Sequence, residues 1–138
     1  MFLVHAETEE NPYVASRPFR VNAGAVHMYI RTPNNKTKYL CELKAGDEVM
    51  VYDHKGRGRV VYVGRAKVER RPMLLVEGRW ENKKVSAVLQ NAETIRLTKP
   101  DGNPISVAEL KEGDEVLGYV EEAGRHFGIK VEETIIEK

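Results

Sequence analysis

The sequence predicts an all-β protein: a small closed barrel built from two similar halves and preceded by an extended N-terminal arm. Short runs of β-branched and aromatic residues alternate with turn residues along the chain, which is typical of hairpin-rich β proteins. No window of about eleven residues keeps the apolar spacing of an amphipathic helix, so we expect at most one helical turn, around residues 107–110. The third observation is an internal repeat, which sets the order of the elements.

The repeat is clearest at residues 42–49, which return almost unchanged at residues 109–116. The two copies agree at seven of eight positions and are displaced by 67 residues (109 minus 42). Two copies of one supersecondary unit generally bury their apolar faces against each other, because neither can do so alone. Further positions extend the match: Tyr52 with Tyr119, Pro33 with Pro100, and residues 67–69 with residues 130–132.

Each copy carries a glycine–aspartate corner directly before a predicted strand. Gly46 and Gly113 can adopt a positive φ without steric strain, and the carboxylates of Asp47 and Asp114 can accept hydrogen bonds from nearby backbone amides. This pattern resembles the "GD box" of cradle-loop barrels, small β-barrels that include the RIFT and double-psi types. The resemblance implies a closed six-stranded-type, RIFT-like barrel with pseudo-symmetric halves, and it leaves the choice between RIFT and double-psi topology open.

The chain divides accordingly into an arm and a barrel. Residues 1–25 form the predicted arm, in which two prolines hold the backbone extended. Residues 26–138 form the predicted barrel domain, with repeat halves at about 26–91 and 92–138. In the first half we expect Cys41 to be half-buried in a strand, and residues 67–71 to continue the strand that begins at Val60.

Composition limits the classes of function. The chain has 138 residues and a net charge of +1, from 22 basic and 21 acidic side chains, so no overall field attracts nucleic acid or a membrane. Its longest apolar runs have four residues, which is too short to cross a bilayer. The single cysteine excludes an internal disulfide and fits a reducing cytoplasm, which is the predicted location.

Polar residues that could carry chemistry are concentrated in and near the arm. Two arginines beside an extended segment can grip a planar carboxylate with forked hydrogen bonds, and a histidine can transfer protons near neutral pH. The alternative is that these side chains tie an irregular arm to the barrel. The candidates lie within 23 positions: His5, Glu7, Asn11, Arg17, Arg20, Asn22 and His27.

Two further polar clusters lie in the barrel. Gln90, Asn91 and Glu93 stand at the junction of the halves, and Arg125 and His126 stand between two glycines that permit close backbone approach. Each cluster could equally be a polar turn. A basic stretch offers a phosphate-binding surface or, alternatively, a solvated strand face. It comprises Arg65, Lys67, Arg70, Arg71, Arg79, Lys83 and Lys84.

Motifs for common cofactors do not occur in the sequence. No Cys–His spacing suits zinc, so we predict no metal, and no Gly-x-x-x-x-Gly-Lys loop could cradle a nucleotide phosphate. No Gly-x-Gly-x-x-Gly turn joins a strand to a helix. A nicotinamide cofactor therefore has no standard binding motif in this chain.

The residues 2–7, 11–24, 89–94, 124–128 and 132–137 closely resemble the archaeal-type 3-dehydroquinate synthase family, and the likeness covers the whole chain. The resemblance implies an NAD-dependent enzyme that oxidatively deaminates an amino-dideoxy-heptulosonate and closes the ring to 3-dehydroquinate, in aromatic amino acid synthesis. Family members carry a substantial region before the point where Phe2 stands. The chain is therefore expected to be the C-terminal part, inactive alone, with no NAD bound to it, and partnered by the N-terminal region and the substrate.

The family-like motifs supply hypotheses for individual residues. Arg17 or Arg20 is expected to bind the substrate carboxylate, and His27 or His126 to move protons. Glu93 is expected to orient a substrate hydroxyl or amine. The remaining predicted substrate-binding residues are Asn22, Gln90, Asn91 and Arg125.

Two other classes of function compete with the enzyme domain. One is a stand-alone cradle-loop barrel that binds nucleic acid or another protein, although the near-neutral net charge and the acidic residues within the basic stretch count against nucleic acid. The other is a structural piece that closes over the missing catalytic region or dimerises it, so a homodimer is left open. An exposed apolar patch would be the mark of such a piece.

Overall fold

The computed structural model describes residues 1–6 and 21–119 in full, and the backbone of residues 120 and 125–137. Arg17 and Arg20, with the rest of the middle of the arm, lie outside the described residues. Strands dominate the described part, and its one helix has three residues, so the all-β prediction is confirmed. The elements are β1 (Tyr29–Thr32), β2 (Lys36–Tyr39), the 3-10 helix η1 (Leu40–Glu42), β3 (Glu48–Tyr52), β4 (Gly58–Tyr62), β5 (Met73–Trp80), β6 (Lys83–Gln90), β7 (Arg96–Thr98), β8 (Pro104–Ser106), β9 (Glu115–Val120) and β10 (Arg125–Glu137).

Both glycine–aspartate corners have the predicted geometry. The φ angle is 92° at Gly46 and 95° at Gly113. In the first corner the Lys44 amide donates to the Asp47 carboxylate at 3.0 Å, and in the second the Lys111 amide donates to Asp114 at 2.8 Å. The corners are thus one local structure made twice, and each leads directly into a strand that carries a buried valine.

The strands pair as antiparallel hairpins. β1 pairs with β2, β3 with β4 and β7 with β8, and a fourth sheet has the order β6-β5-β10-β9. These four sheets do not close into a ring within the residues that the structure describes, so the closed cradle-loop barrel is not confirmed. β10 is the longest element, because its first part pairs with β9 and its second part with β5.

Residues 1–6 do not stand apart from the second half. The Leu3 amide donates to the Leu117 carbonyl at 3.1 Å, and the Leu3 carbonyl accepts from the Thr98 amide at 3.0 Å. Isolated bridges at Phe2 and Val4 continue this pairing on both sides. The start of the predicted arm therefore fills the gap between β7 and β9, while its boundary at residue 25 stays a prediction.

The buried core belongs mainly to the second half and to the β5–β6 hairpin. Phe2 and Val4 pack against this cluster, so residues 1–6 contribute side chains as well as backbone. No described side chain of residues 26–63 belongs to it, but Leu74, Val76 and Leu89 do, so residues of both predicted halves contribute to this core. The members are Leu74, Val76, Leu89, Ile95, Leu97, Val107, Leu110 and Val116.

Three local predictions were wrong. Cys41 is exposed and lies in η1, not half-buried in a strand, because the chain turns immediately after β2. Residues 67–71 form no strand, since β4 ends at Tyr62 and the following residues have no partner strand in the described part. The predicted helical turn at residues 107–110 is a plain turn, and the 3-10 helix lies at the matching place in the first half.

Candidate functional site

The two described ends of the arm lie beside one short stretch of chain, from the end of β6 to Arg96. At the outgoing end the His5 amide donates to the Arg96 carbonyl at 2.8 Å. At the returning end the Ala25 amide donates to the carbonyl of Val88, near the end of β6, at 3.1 Å. Residues 1–6 therefore lie beside one end of this segment, and residues 22–25 lie beside the other. We call residues 90–96, with Asn22 and His5, the arm-base site.

Two predicted substrate-binding residues meet in the arm-base site. Asn22 Nδ2 donates to Gln90 Oε1 at 2.8 Å, across 68 residues of sequence, and Asn22 Oδ1 accepts from the Gly24 amide at 3.2 Å. Gly24 has a φ of 113°, and a Cβ there would lie 3.1 Å from the Val88 carbonyl oxygen, so glycine is required for this close approach. The Asn22 side chain thus holds residues 22–25 against the end of β6.

The pair retains hydrogen-bonding capacity. An amide side chain has two N–H donors and an acceptor oxygen, and the bond to Asn22 uses only the oxygen of Gln90. Within the fully described residues no partner is recorded for the Gln90 Nε2 group. Such a group, half-buried and fixed by its neighbour, is suited to bind a hydroxyl or carbonyl oxygen of a small polar molecule.

Residues 91–95 form a turn that points its polar side chains outwards. The Asn91 amide donates to the Pro72 carbonyl at 2.9 Å, and the Ile95 amide donates to the Ala92 carbonyl at 3.1 Å. Ile95 is buried, whereas Asn91 and Glu93 are exposed. The turn is therefore anchored by its apolar residue and presents a carboxylate and an amide beside Gln90.

His5 brings an imidazole to the outgoing end of the same segment. Its Nδ1 atom lies 3.0 Å from the carbonyl oxygen of Ala6. A carbonyl oxygen can only accept, so Nδ1 is the donor of this hydrogen bond and Nε2 is left for another contact. The sequence placed His5 only among the wider arm candidates.

Other predicted residues are not brought into the arm-base site. His27 is exposed in the turn before β1. Arg125 and His126 pair through their backbones with Val120 and Tyr119 of β9. The Tyr119 amide donates to the Met1 carbonyl, whereas the contact with Arg96 is made by His5. Met1 and His5 are about 13 Å apart when residues 1–5 are extended, so this pairing lies away from the arm-base site.

Sequence reasoning missed a cluster that joins the two halves. The Arg31 guanidinium lies 4.2 Å from the centre of the Tyr119 ring, and its Nη2 donates to Asn35 Oδ1 at 2.5 Å. Partial burial alone would lower the pKa of Arg31, but hydrogen bonds to Tyr119 and Tyr52, with the charges of their phenols, raise it above its ordinary value. The sequence does show that Tyr52 and Tyr119 occupy the same position of the two repeats, and in the structure both tyrosines contact Arg31.

Much of the basic stretch is paired within itself. Glu69 binds Lys67 and Arg71, and hydrogen bonds first from Lys67 and then from Arg71 lower the pKa of its exposed carboxyl. Glu77 binds Lys84 at 2.8 Å. These ion pairs are typical of a solvated strand and turn surface. They neutralise positive charge that binding to a phosphate backbone would require.

The whole chain is similar to known proteins. A family model described as the 3-dehydroquinate synthase II C-terminal domain matches residues 1–138. The chain belongs to this family. The chain is 90% identical, over 138 residues, to a 3-dehydroquinate synthase homolog of Aquifex aeolicus, and 60% identical, over 138 residues, to a 3-dehydroquinate synthase of Methanocaldococcus jannaschii. No solved structure matches it.

As a 3-dehydroquinate synthase II C-terminal domain, the chain is only part of the proteins it resembles. All of it is matched by the Aquifex and Methanocaldococcus relatives, but it spans 42% and 38% of their respective lengths. A 3-dehydroquinate synthase homolog of Persephonella marina gives the same proportion of 42%, at 75% identity. More than half of each relative therefore lies outside the region that this chain represents.

The described residues do not fit the usual ways of holding a dinucleotide or a metal ion. Pyrophosphate groups are commonly bound at the N-terminus of a helix that follows a strand and a glycine-rich turn. The one helix in the described part has three residues, and it offers no such terminus. No group of three or more potential metal ligands occurs there either, and no described helix is long and apolar enough to span a membrane.

Proposed function

We propose that the full-length protein is an NAD-dependent 3-dehydroquinate synthase and that this domain supplies the arm-base site for its substrate. The reaction is the oxidative deamination of 2-amino-3,7-dideoxy-D-threo-hept-6-ulosonate, followed by cyclisation to 3-dehydroquinate, an intermediate of aromatic amino acid synthesis. The names of the relatives support the reaction class. The observation that carries the site is the Asn22–Gln90 hydrogen bond, because it joins two sequence-distant candidates in one fixed arrangement.

The substrate is a small polyol with a carboxylate, an amine and a carbonyl, so it requires several polar contacts. Gln90 and Asn91 are proposed to bind its hydroxyl and carbonyl oxygens, and Glu93 to orient its amine. Arg17 or Arg20 is proposed to bind the carboxylate, and Arg125 to add a contact. Deprotonation of the amine and proton delivery during ring closure require a side chain that exchanges protons with the substrate, and His27 and His126 are proposed for this role, together with His5 at the arm base.

NAD accepts the hydride when it is bound to the full-length enzyme. Because the described residues of this chain lack a dinucleotide-binding arrangement, we assign its binding to the region outside the chain. The isolated chain is accordingly proposed to be inactive. The proposed compartment is the cytoplasm, which is consistent with one free cysteine and no disulfide.

A cradle-loop barrel remains the proposed architecture, with an arm at residues 1–25 and repeat halves at 26–91 and 92–138. The two corners support it, because they share backbone angle, hydrogen bonding and the strand that follows. The repeated hairpins, β3 with β4 and β9 with β10, support it as well.

The test uses a chimera in which residues 1–138 replace the matching segment of the full-length Aquifex relative. Gln90→Glu keeps an oxygen that can accept from Asn22 Nδ2 but removes the Nε2 donor. We expect kcat/KM for NADH formation from the heptulosonate to fall about tenfold or more, since a buried hydrogen bond to substrate is lost. Gln90→Ala also removes the hydrogen bond to Asn22, so it should lower kcat/KM further.

Asn82→Ala is the matched control, because Asn82 is an exposed amide in the turn between β5 and β6. It should leave kcat/KM unchanged. If Gln90→Glu behaves like Asn82→Ala, the arm-base site does not bind the substrate. If the chimera itself forms no NADH, while the unmodified Aquifex protein does, this domain does not support the proposed reaction.

A further inference from the structure

The connection between β4 and β5 is the most exposed part of the described chain. Every residue from 64 to 72 is exposed, and Val68 retains 71% of its accessible surface, more than any other exposed large hydrophobic side chain. The one backbone hydrogen bond recorded for these nine residues in the described part is that from the Asn91 amide to the Pro72 carbonyl. A stretch of chain with unpaired amides and carbonyls and an apolar side chain in water can pair with an added strand.

The same tripeptide forms a paired strand elsewhere in this molecule. Residues 67–69 and residues 130–132 have the identical sequence Lys-Val-Glu. In β10 Lys130 pairs with Arg79 and Val131 pairs with Gly78 of β5. The sequence is therefore competent to form a β-strand when a partner is present. In the first half the described residues supply no partner.

Charge gives the connection a preferred partner. Residues 65–71 contain four basic side chains and one acidic side chain, which is a local charge of +3 in a chain whose net charge is +1. Glu69 is taken by Lys67 and Arg71, and no ion pair is recorded for Arg65 or Arg70 in the described part. A strand that pairs here would gain most from acidic side chains placed opposite these arginines.

We propose that residues 65–71 are a docking strand, and that an extended acidic segment of the full-length protein outside residues 1–138 pairs with it. More than half of the relatives' length lies outside the region that this chain matches, which leaves room for such a segment in the same polypeptide. A second copy of the chain fits less well, because two such strips would oppose like charges. Nucleic acid fits less well because a bare valine and a glutamate occupy the middle of the strip.

Amide hydrogen exchange measured by mass spectrometry tests the proposal on the chimera described above and on the 138-residue chain. We expect the amides of residues 67–69 to exchange about tenfold or more slowly in the chimera than in the chain alone, because pairing protects them. Residues 130 and 131, which are paired in both, should be protected in both. This readout does not depend on turnover, so it remains informative if the proposed function fails.

Charge reversal provides the matched pair of variants. In the chimera Arg70→Glu should abolish most of the protection of residues 67–69, whereas Arg59→Glu, on exposed β4, should leave it intact. Equal, fast exchange in chimera and chain would overturn the proposal. Protection that appears in the isolated chain with rising protein concentration, or only on addition of RNA, would overturn it in favour of self-association or of a nucleic-acid surface.

Discussion

The two halves of this domain share a corner but differ in what covers it. At matched positions 67 residues apart, Leu43 is half-buried whereas Leu110 is buried, and Met50 is half-buried whereas Leu117 is buried. The second corner is covered by residues 1–6 and by the β5–β6 hairpin, which belongs to the first predicted half. Nothing in the described part covers residues 26–63 in the same way.

The comparison separates local from long-range causes of structure. The corner needs a glycine at positive φ and an aspartate that caps a backbone amide, and seven identical residues provide both twice. Burial needs a neighbouring element, and residues 1–6 with the β5–β6 hairpin supply one to the second corner but not to the first. The first half also exposes an aromatic pair, Tyr29 and Tyr39, whose ring centres are 5.1 Å apart.

The largest expected effect comes from truncating the matched leucines. Leu110→Ala should lower the free energy of unfolding by about 3 kcal/mol, because it opens a cavity in the buried cluster. Leu43→Ala should lower it by about 1 kcal/mol, since its side chain is already half-hydrated. Urea denaturation of the two variants provides the measurement. Equal losses would mean that the two halves are equally buried in solution.

The corners themselves should respond equally. Gly46→Ala and Gly113→Ala both force a Cβ into the left-handed region, and neither position has an atom within 4 Å of that Cβ. Backbone strain is therefore the shared cause, and each variant should lose about 1 to 2 kcal/mol of stability. Thermal unfolding would measure both, and a difference between them as large as the effect itself would contradict a shared corner.

A smaller effect should report the contact between the halves. In a double-mutant cycle of Arg31→Met and Tyr119→Leu, we expect a coupling free energy of about 1 kcal/mol, because the guanidinium packs on the ring. The control cycle replaces Arg31→Met with Arg59→Met, whose side chain is exposed on β4. Coupling in the control cycle, or none in the first, would remove Arg31 as the link.

What the sequence predicted was local. The corners, the hairpins and the strand-rich character follow from residue types within a few positions of one another. The placement of residues 1–6 between β7 and β9 could not be predicted, because strand pairing depends on neighbours far away in the sequence. Cys41 was misplaced for a related reason: its neighbours have strand propensity, but the chain must turn there to reach the corner.

The site was predicted as a set of residues and not as a geometry. Asn22, Gln90, Asn91 and Glu93 were all named, yet no spacing indicates that residues 68 positions apart form a hydrogen bond. The sequence also grouped these residues with His126, which the β9–β10 register separates from the arm base. Arg31 was not named, because an arginine in a short strand carries no motif until both tyrosines are seen around it.

Native-state amide exchange of the 138-residue chain tests the inequality of the two halves most directly. We expect the amides of Leu97 and Val116, which lie in the buried core, to exchange at the rate of global unfolding. Val49 and Val51, whose amides pair within the β3–β4 hairpin that no other described element covers, should exchange about tenfold or more faster through local opening. Equal protection of the four amides, or slower exchange in the first half, would contradict it.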